Sequence, residues 1–155
     1  MIGSRFPLHE FWERLRKVTR LSFQAESRSG SPTGWSGTGH GIVAVERQRD
    51  SVLLFHERGV WKSDGAMEMA FSNVFRWTRE EDGTVRLDHL RFGAEKPVYL
   101  FDLRFVSRRL LQSAHGHTCR EDCYAARVQV LPDVIEVEWT IRGPRMNEYI
   151  SYKYD

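Results

Sequence analysis

The sequence has 155 residues, 41% of them hydrophobic and 12% aromatic, which fits one folded domain and excludes a disordered chain. Lysine and arginine together number 23 against 21 aspartates and glutamates, a formal charge of +2. This near balance excludes an acidic tail protein and argues against a strong nucleic-acid-binding field, so we expect no nucleic-acid partner.

The hydrophobic runs of the chain indicate the cellular compartment in which we expect the protein. The first twenty residues hold no apolar run of signal-peptide length, because Pro7, His9 and Glu10 interrupt it. No segment reaches the ~20 apolar residues that a membrane helix needs. We therefore expect a cytoplasmic protein with no membrane partner. In that compartment the two cysteines, Cys119 and Cys123, should stay reduced.

One stretch near the N-terminus has helical spacing. Its apolar residues recur at intervals of three and four, and Pro7 suits the first turn of a helix. This pattern predicts a short helix over residues 7–17 with one apolar face. The residues of that face are Leu8, Phe11, Trp12, Leu15 and Val18.

From residue 18 onward the pattern changes to a period of two, which is typical of strands with one buried face. Turn signals such as Asp82-Gly83 and Gly143-Pro144 separate several of these runs. No second helix is long enough to connect parallel strands, so the sheet should be antiparallel. The strand-like runs cover residues 19–26, 35–47, 52–62, 66–79, 84–92, 98–105, 110–117, 124–131, 134–142 and 148–154.

An open antiparallel sheet of this many strands would leave two unpaired edges, which closure into a barrel removes. We therefore predict one all-β domain over residues 1–155, with the helix first. An antiparallel, up-and-down closed β-barrel of about 8–10 strands follows over residues 18–154. Two apolar sets should point into this barrel. They are Met67, Met69, Phe71, Phe75 and Trp77 in one strand, and Ile135, Val137, Trp139 and Ile141 in another.

Three glycines, Gly37, Gly39 and Gly41, occupy alternate positions of one predicted strand. Their missing side chains permit either sharp coiling of a small barrel or the close approach of a ligand. Coiling is the preferred interpretation, because every tightly curved barrel needs such relief. A phosphate loop is excluded, because the run lacks the Gly-Lys-Ser/Thr ending and leads into a strand.

The densest group of reactive side chains lies between His115 and Tyr124. If the strand continues this far, His115, His117 and Cys119 project to one face and could bind zinc together with Cys123. The segment also permits Cys119 to act as a nucleophile activated by a neighbouring histidine. Neither spacing matches a usual metal or catalytic motif. We therefore prefer a turn with exposed histidines and half-buried thiols, and expect no cofactor and no catalytic residue.

A second group follows the predicted strand that carries Trp139. That strand ends at a Gly-Pro turn, which places Arg142 and Arg145 at the barrel rim. Two guanidinium groups near one mouth could clamp a carboxylate or a phosphate. Alternatively, one of them covers Trp139 by a cation–π contact and plugs that end of the barrel.

These segments also carry a resemblance. The motifs are F-D-L at residues 101–103, H-x-C-x-E-D-x-Y at residues 117–124, and W-x-I-x-G-P-R at residues 139–145, followed by Tyr149. Through them the chain, from about residue 41 to residue 152, resembles a family of small bacterial domains of unknown function. The resemblance implies a lipocalin-like, calycin-type barrel with a shared cavity region, and it implies no activity.

Combined with the barrel, the motifs predict a ligand site. Tyr124 alternates inward with Ala126 and Val128, so its hydroxyl should face the cavity, with Arg142 or Arg145 as its candidate partner. We expect the hairpin to place the two longer motifs at opposite ends of their strand pair. The candidate ligand-binding residues are Trp77, His117, Cys119, Glu121, Asp122, Tyr124, Trp139, Arg142, Arg145 and Tyr149.

The preferred functional hypothesis is a non-enzymatic barrel that binds a small apolar or amphipathic molecule, for which the rim arginines suggest an acidic group. Two alternatives stay open. One is an enzyme or metal-binding protein that uses residues 115–124. The other is a protein-interaction module that forms a homodimer through exposed strands.

Overall fold

A computed structural model describes residues 6–28, 36–63, 65–113, 123–143 and 147–155. Within these residues, one helix precedes ten strands. The elements are α1 (Phe6–Arg16), β1 (Arg20–Ser27), β2 (Gly37–Arg49), β3 (Val52–Ser63), β4 (Glu68–Arg79), β5 (Val85–His89), β6 (Val98–Ser107), β7 (Leu110–Ser113), β8 (Cys123–Val130), β9 (Ile135–Arg142) and β10 (Asn147–Tyr154).

The strands form a closed barrel. Each strand pairs antiparallel with its neighbours in the sequence, and β1 closes the ring by pairing with β10. The all-β barrel predicted from the two-residue alternation is confirmed. The helix is confirmed as well, with bounds one residue earlier than predicted. No helix among the described residues is both long and apolar enough to span a membrane.

The glycines of β2 lie where this strand and its neighbours approach each other closely. Gly41 is directly opposite Gly59 of β3, and a Cβ at either position would overlap backbone atoms of the other strand. At Gly39 a Cβ would overlap the ring of Phe23. The glycines thus permit close approach of protein to protein, which agrees with the coiling interpretation and leaves no ligand cradle at Gly39.

One half of the barrel is closed by α1, and we call it the helix half. Phe11 and Leu15 of α1 are fully buried, and the Trp12 indole N–H donates to the Asp50 carbonyl in the β2–β3 turn (3.1 Å). The inward-facing strand residues around them are packed as tightly, at 3% exposure or less. They are Leu21, Leu53, Phe55, Trp77, Val85, Leu87, Leu103, Leu111, Val128, Ile135, Val137 and Tyr154.

The other half, which we call the mouth half, is packed differently. Its strands point apolar side chains inward in the same alternation, but several of these side chains keep part of their surface exposed. A ten-stranded ring is wider than the roughly eight strands whose interior side chains alone can fill. The partly exposed inward residues are Phe23, Ala25, Ser27, Trp61, Phe71, His89, Val98, Tyr124 and Ile150.

The prediction for the inward faces holds with one correction. Ile135, Val137, Trp139 and Ile141 are all buried, as expected. Met67 and Met69, however, are 85% and 54% exposed. Both lie at the far end of the long β3–β4 hairpin, beyond the level at which the neighbouring β5 ends. The prediction that these two residues face the interior is therefore wrong: Met67 precedes β4, and Met69 lies on the inward side of its strand where no barrel surrounds it.

Candidate functional site

Aromatic rings form the floor of the mouth half, and its centre is a stack of Phe23, Tyr152 and Trp139. Tyr152 stacks on Phe23 with ring centroids 5.2 Å apart, and on Trp139 at 6.0 Å. Trp139 in turn meets the edges of Phe75 and Phe101, both at 5.5 Å. Trp139 and Tyr152 each retain 7% exposure. These rings form an apolar layer at the base of the mouth half.

The wall above the floor is also aromatic. Phe71 meets Phe23 edge to face at 5.4 Å, and the His89 imidazole stacks on Phe75 at 4.8 Å. Burial, and to a smaller extent the charge of Arg91, lowers the pKa of His89. At pH 7 this imidazole is therefore neutral and adds to the ring-lined surface without adding charge.

A carboxyl group lies where the two halves meet. Glu57 is 1% exposed, and the Tyr154 hydroxyl donates to its Oε2 at 2.6 Å. Burial raises the pKa of Glu57 to about 7, although hydrogen bonds from Tyr154 and Asn73 act in the opposite direction. The other oxygen, Oε1, has no hydrogen-bond partner among the described residues, and neither has Nε1 of Trp139.

A second inward carboxyl group, Glu148 of β10, lies closer to the mouth. It is 2% exposed, and its Oε2 accepts a hydrogen bond from the Ser27 hydroxyl at 2.7 Å. Register pairs Glu148 with Ser27 on one side and with Ile141 on the other. The described interior of the mouth half thus holds two carboxyl groups and a neutral imidazole.

The described residues of the two longer sequence motifs include a pair of neighbouring strand ends. Cys123 of β8 pairs with Arg142 of β9, and Tyr124 pairs with Ile141. The expectation that the hairpin separates the motifs is wrong, because in an antiparallel hairpin the first strand begins where the second one ends. The start of β8 and the end of β9, where the described residues of these motifs lie, are therefore both at the mouth end.

Several predicted site residues lie outside the described residues. Among the mouth-end motifs, the structure places Tyr124, Trp139, Arg142 and Tyr149. The candidates that lie outside are His115, His117, Cys119, Glu121, Asp122 and Arg145.

Of the described candidates, Tyr124 and Trp139 face the barrel interior and Arg142 does not. Tyr124 packs against the core, and Trp139 belongs to the floor. Arg142 is exposed at the end of β9, one position past the inward-facing Ile141, which puts it on the outer wall. The expectation that Arg142 serves as the cavity partner of Tyr124 is therefore corrected, because alternation turns its side chain outward.

Neither Tyr149 nor Trp77 faces the interior of the mouth half. Tyr149 is on the outer wall, where the Arg28 guanidinium stacks over its ring at 4.8 Å and Glu138 is its hydrogen-bond partner. Trp77 is 1% exposed in the helix half, with its ring against Phe11 at 6.1 Å. Neither position can contact a molecule that sits on the aromatic floor.

The cysteine expectation is corrected as well. Cys123 is disulfide-bonded, so it is not the reduced thiol that we expected and offers no thiolate to a metal ion. In the described part of the chain, no group of three or more histidine, cysteine, aspartate or glutamate side chains is arranged to hold a metal ion.

Sequence reasoning missed Glu57, although a signal for it exists. The inward positions of β3 read Leu53, Phe55, Glu57, Gly59 and Trp61, so a carboxyl group interrupts an apolar face. An acid at such a position must be hydrogen-bonded or protonated. Its partner, contributed by the last strand of the barrel, could not be identified without the ring closure.

The outer wall is less suited to a ligand than the interior. Its largest described groove has a volume of about 340 Å³ and runs across β10, β1 and β2 above Gly39. Polar side chains such as Ser22, Thr38 and Lys153 line it. Small-molecule sites are usually concave and mostly apolar, which matches the mouth half better.

Comparison with known proteins supports the resemblance found in the sequence. The profile of a family of unknown function, DUF6314, matches residues 12–155. No curated protein and no solved structure matches the chain.

Proposed function

We propose that this protein, which belongs to DUF6314, holds a small ring-bearing molecule in the mouth half of its barrel. The ligand lies on the floor formed by Trp139 and Tyr152, with Phe71 and His89 at its sides. The binding is non-enzymatic.

The partial exposure of the inward-facing aromatic side chains carries this proposal. In the helix half, Phe55 and Trp77 are 0% and 1% exposed, whereas Phe23 and Phe71 at the mouth keep exposed surface. A folded chain gains about 25 cal/mol for every Å² of apolar surface that it buries. A bound apolar molecule that covers an exposed ring inside the barrel therefore gains the free energy of burying that surface.

The structure changes the ligand chemistry that we favour. The acidic-ligand hypothesis depended on two rim arginines, of which Arg142 is on the outer wall and Arg145 lies outside the described residues. The described interior contributes Glu57 and Glu148 instead. A neutral or basic amphipathic molecule suits such an interior better than an acid.

A fluorescent probe of matching shape tests the proposal. N-phenyl-1-naphthylamine is flat, neutral and apolar, and its emission rises in an apolar site. We expect it to bind the wild type with a Kd of about 1–10 μM, the order expected for a small apolar probe. Ala25→Trp places a large side chain inside the mouth half and should weaken binding at least about tenfold.

The matched control is Gln24→Trp. Gln24 is adjacent to Ala25 but exposed on the outer wall, so the new indole leaves the interior unchanged. Probe binding should then equal that of the wild type. No binding to the wild type, or equal losses in the two variants, would contradict the proposal.

A second candidate function, self-association, is favoured by an unpaired edge of β4. On this edge, β5 pairs with Phe75–Arg79 of β4. The last backbone hydrogen bond along it runs from the Leu90 N–H to the Val74 carbonyl (2.8 Å). Peptide groups alternate in direction along a strand, so those of Ser72 and Ala70 point to the same edge as Val74. No described strand pairs with them there.

A second copy of the chain fits this edge. An antiparallel pairing centred on Ala70 places Glu68 opposite Ser72 and Met69 opposite Phe71, so that no like charges meet. Sedimentation velocity should then show a dimer whose fraction rises with concentration. Ala70→Pro, which removes the edge N–H, should abolish the dimer, whereas Ala70→Ser should keep it. A wild type that stays monomeric at every concentration contradicts this candidate.

A further inference from the structure

Glu57 is the deepest ionisable group that borders the mouth half. On β3 it follows the fully buried Phe55, and the next inward positions toward the mouth are Gly59 and Trp61, both partly exposed. At Gly59 the backbone of β2 fills the place of a side chain, so no inward side chain of β3 lies between the carboxyl group and Trp61. Across the strand pair, Asn73 is also partly exposed.

Tyr154 and Asn73 both act to stabilise the carboxylate form of Glu57. Oε2 accepts the Tyr154 hydroxyl, while Oε1 has no hydrogen-bond partner among the described residues. No arginine or lysine forms an ion pair with Glu57 in the described part of the chain. An unpaired carboxylate oxygen in an apolar interior is costly, so a group that donates to it gains more than it would in water.

The Trp77 indole shows that an unpaired polar atom alone does not mark a site. Its Nε1 also lacks a partner, but Trp77 is enclosed in the helix half against Phe11 and Phe55. Glu57 differs because it borders the half whose inward side chains are partly exposed. It also differs in charge, because a carboxylate attracts a cation and an indole N–H does not.

We infer that Glu57 selects the ligand of the barrel, favouring a molecule whose apolar body lies on the aromatic floor and whose ammonium or other N–H group donates to Glu57 Oε1. This inference rests on the proposed binding function and specifies its ligand class. A carboxylate at the same place would meet a like charge or compete for the Tyr154 hydroxyl. Amines are therefore preferred over acids of the same shape.

Two dansyl probes with opposite charges test this preference. Dansylcadaverine ends in an ammonium, and 6-(dansylamino)hexanoate ends in a carboxylate on a chain of similar length. At pH 8 we expect the wild type to bind the ammonium probe about tenfold more tightly than the carboxylate probe. Glu57→Gln should bring the ratio of the two Kd values close to one.

The control for net charge is Glu26→Gln. Glu26 is exposed on the outer wall of β1, so this variant changes the charge of the protein by the same amount without changing the interior. The preference for the ammonium probe should persist in it. A preference that survives Glu57→Gln, or that disappears equally in Glu26→Gln, overturns the inference.

A pH titration of the wild type decides the question if Glu57→Gln does not fold. Tyr152 and Tyr154 are the described titratable groups that interact with Glu57, and burial raises the pKa of both well above its ordinary value. Glu57 is thus the group there that titrates near neutrality. The preference for ammonium should decline as the pH falls from 8.5 to 6, and a constant preference overturns the inference. Failure of N-phenyl-1-naphthylamine to bind would instead overturn the binding function itself.

Discussion

The two halves of the barrel follow the same alternation of side chains but are packed in different ways. In the helix half, α1 inserts Phe11 and Leu15 among inward-facing strand residues, most of which are buried. In the mouth half, Phe23 and Phe71 point inward without full burial. The comparison teaches that ten strands enclose more space than their own side chains fill, and that a helix fills it at one end.

The border between the halves is polar. Glu57 and Tyr154 form a buried hydrogen bond at 2.6 Å between β3 and β10, two strands far apart in the sequence. The Tyr154 ring stacks on Tyr152 of the aromatic floor at 5.5 Å, so this bond connects the packed half to the half that we propose binds a ligand. Substitutions on either side of the border should therefore differ in their effect on stability.

The largest expected effect is in the helix half. Phe11→Ala removes a fully buried ring that packs against Trp77 and Phe105, and should lower the free energy of unfolding by about 4 kcal/mol. Urea denaturation followed by tryptophan fluorescence measures this change. A loss below about 1 kcal/mol would mean that α1 is not needed to fill that end.

The next effect is at the border and depends on pH. The pKa of Glu57 in the folded protein is about 7, above its ordinary value of 4.5, so the folded state holds the proton more strongly than the unfolded state. Stability from this group is present below pH 4.5 and is lost as the pH rises to about 7. Between pH 5 and pH 8, Glu57→Gln should therefore gain about 2–3 kcal/mol in unfolding free energy relative to the wild type. Parallel pH profiles of urea unfolding that keep a constant separation would contradict the burial of this carboxyl group.

A smaller effect is expected at Gly39, where β2 meets the aromatic floor. A methyl group there would overlap the Phe23 ring and disturb its stack on Tyr152. Gly39→Ala should destabilise the protein by about 2 kcal/mol and weaken binding of the naphthylamine probe. Gly83→Ala is the comparison, because that glycine has nothing within 4 Å of a Cβ and its φ of 89° lies in a turn. It should affect stability through backbone strain alone and leave probe binding unchanged.

The smallest effect is expected from Phe71→Ala in the mouth half. Phe71 is only partly buried, so truncating it removes an edge contact with Phe23 without opening a closed cavity. We expect a loss of about 1 kcal/mol in unfolding free energy and a clear loss of probe affinity. If Phe71→Ala destabilised the protein as much as Phe11→Ala, the two halves would be packed alike and the lumen would be filled by protein.

Much of the fold could be predicted from local patterns. The spacing of Phe11, Trp12 and Leu15 predicted the helix, and the alternation through Ile135 and Trp139 predicted a strand and its inward face. These predictions succeed because burial of one face imposes a period on the sequence. The same logic identified the barrel, since so many antiparallel strands must remove their edges.

The candidate site was less predictable. Tyr124 and Trp139 were placed inward correctly, but the two mouth motifs were assigned to opposite ends, although strand direction alone puts Cys123 beside Arg142. Arg142 was chosen for its charge, while its alternation with Ile141 turns it outward. Glu57 was not predicted as a site residue because the candidates were chosen by residue type and not by position on the strand.

The order of apolar and polar residues by itself determined the helix, the strands and the side chains that face inward, because each depends on a repeat of a few residues. Only the tertiary structure decided that α1 fills one half, that Tyr154 reaches Glu57 across the ring, and that the other half leaves its aromatic side chains partly exposed. These features depend on the circumference of the closed barrel and on contacts between residues far apart in the chain, which no local repeat encodes.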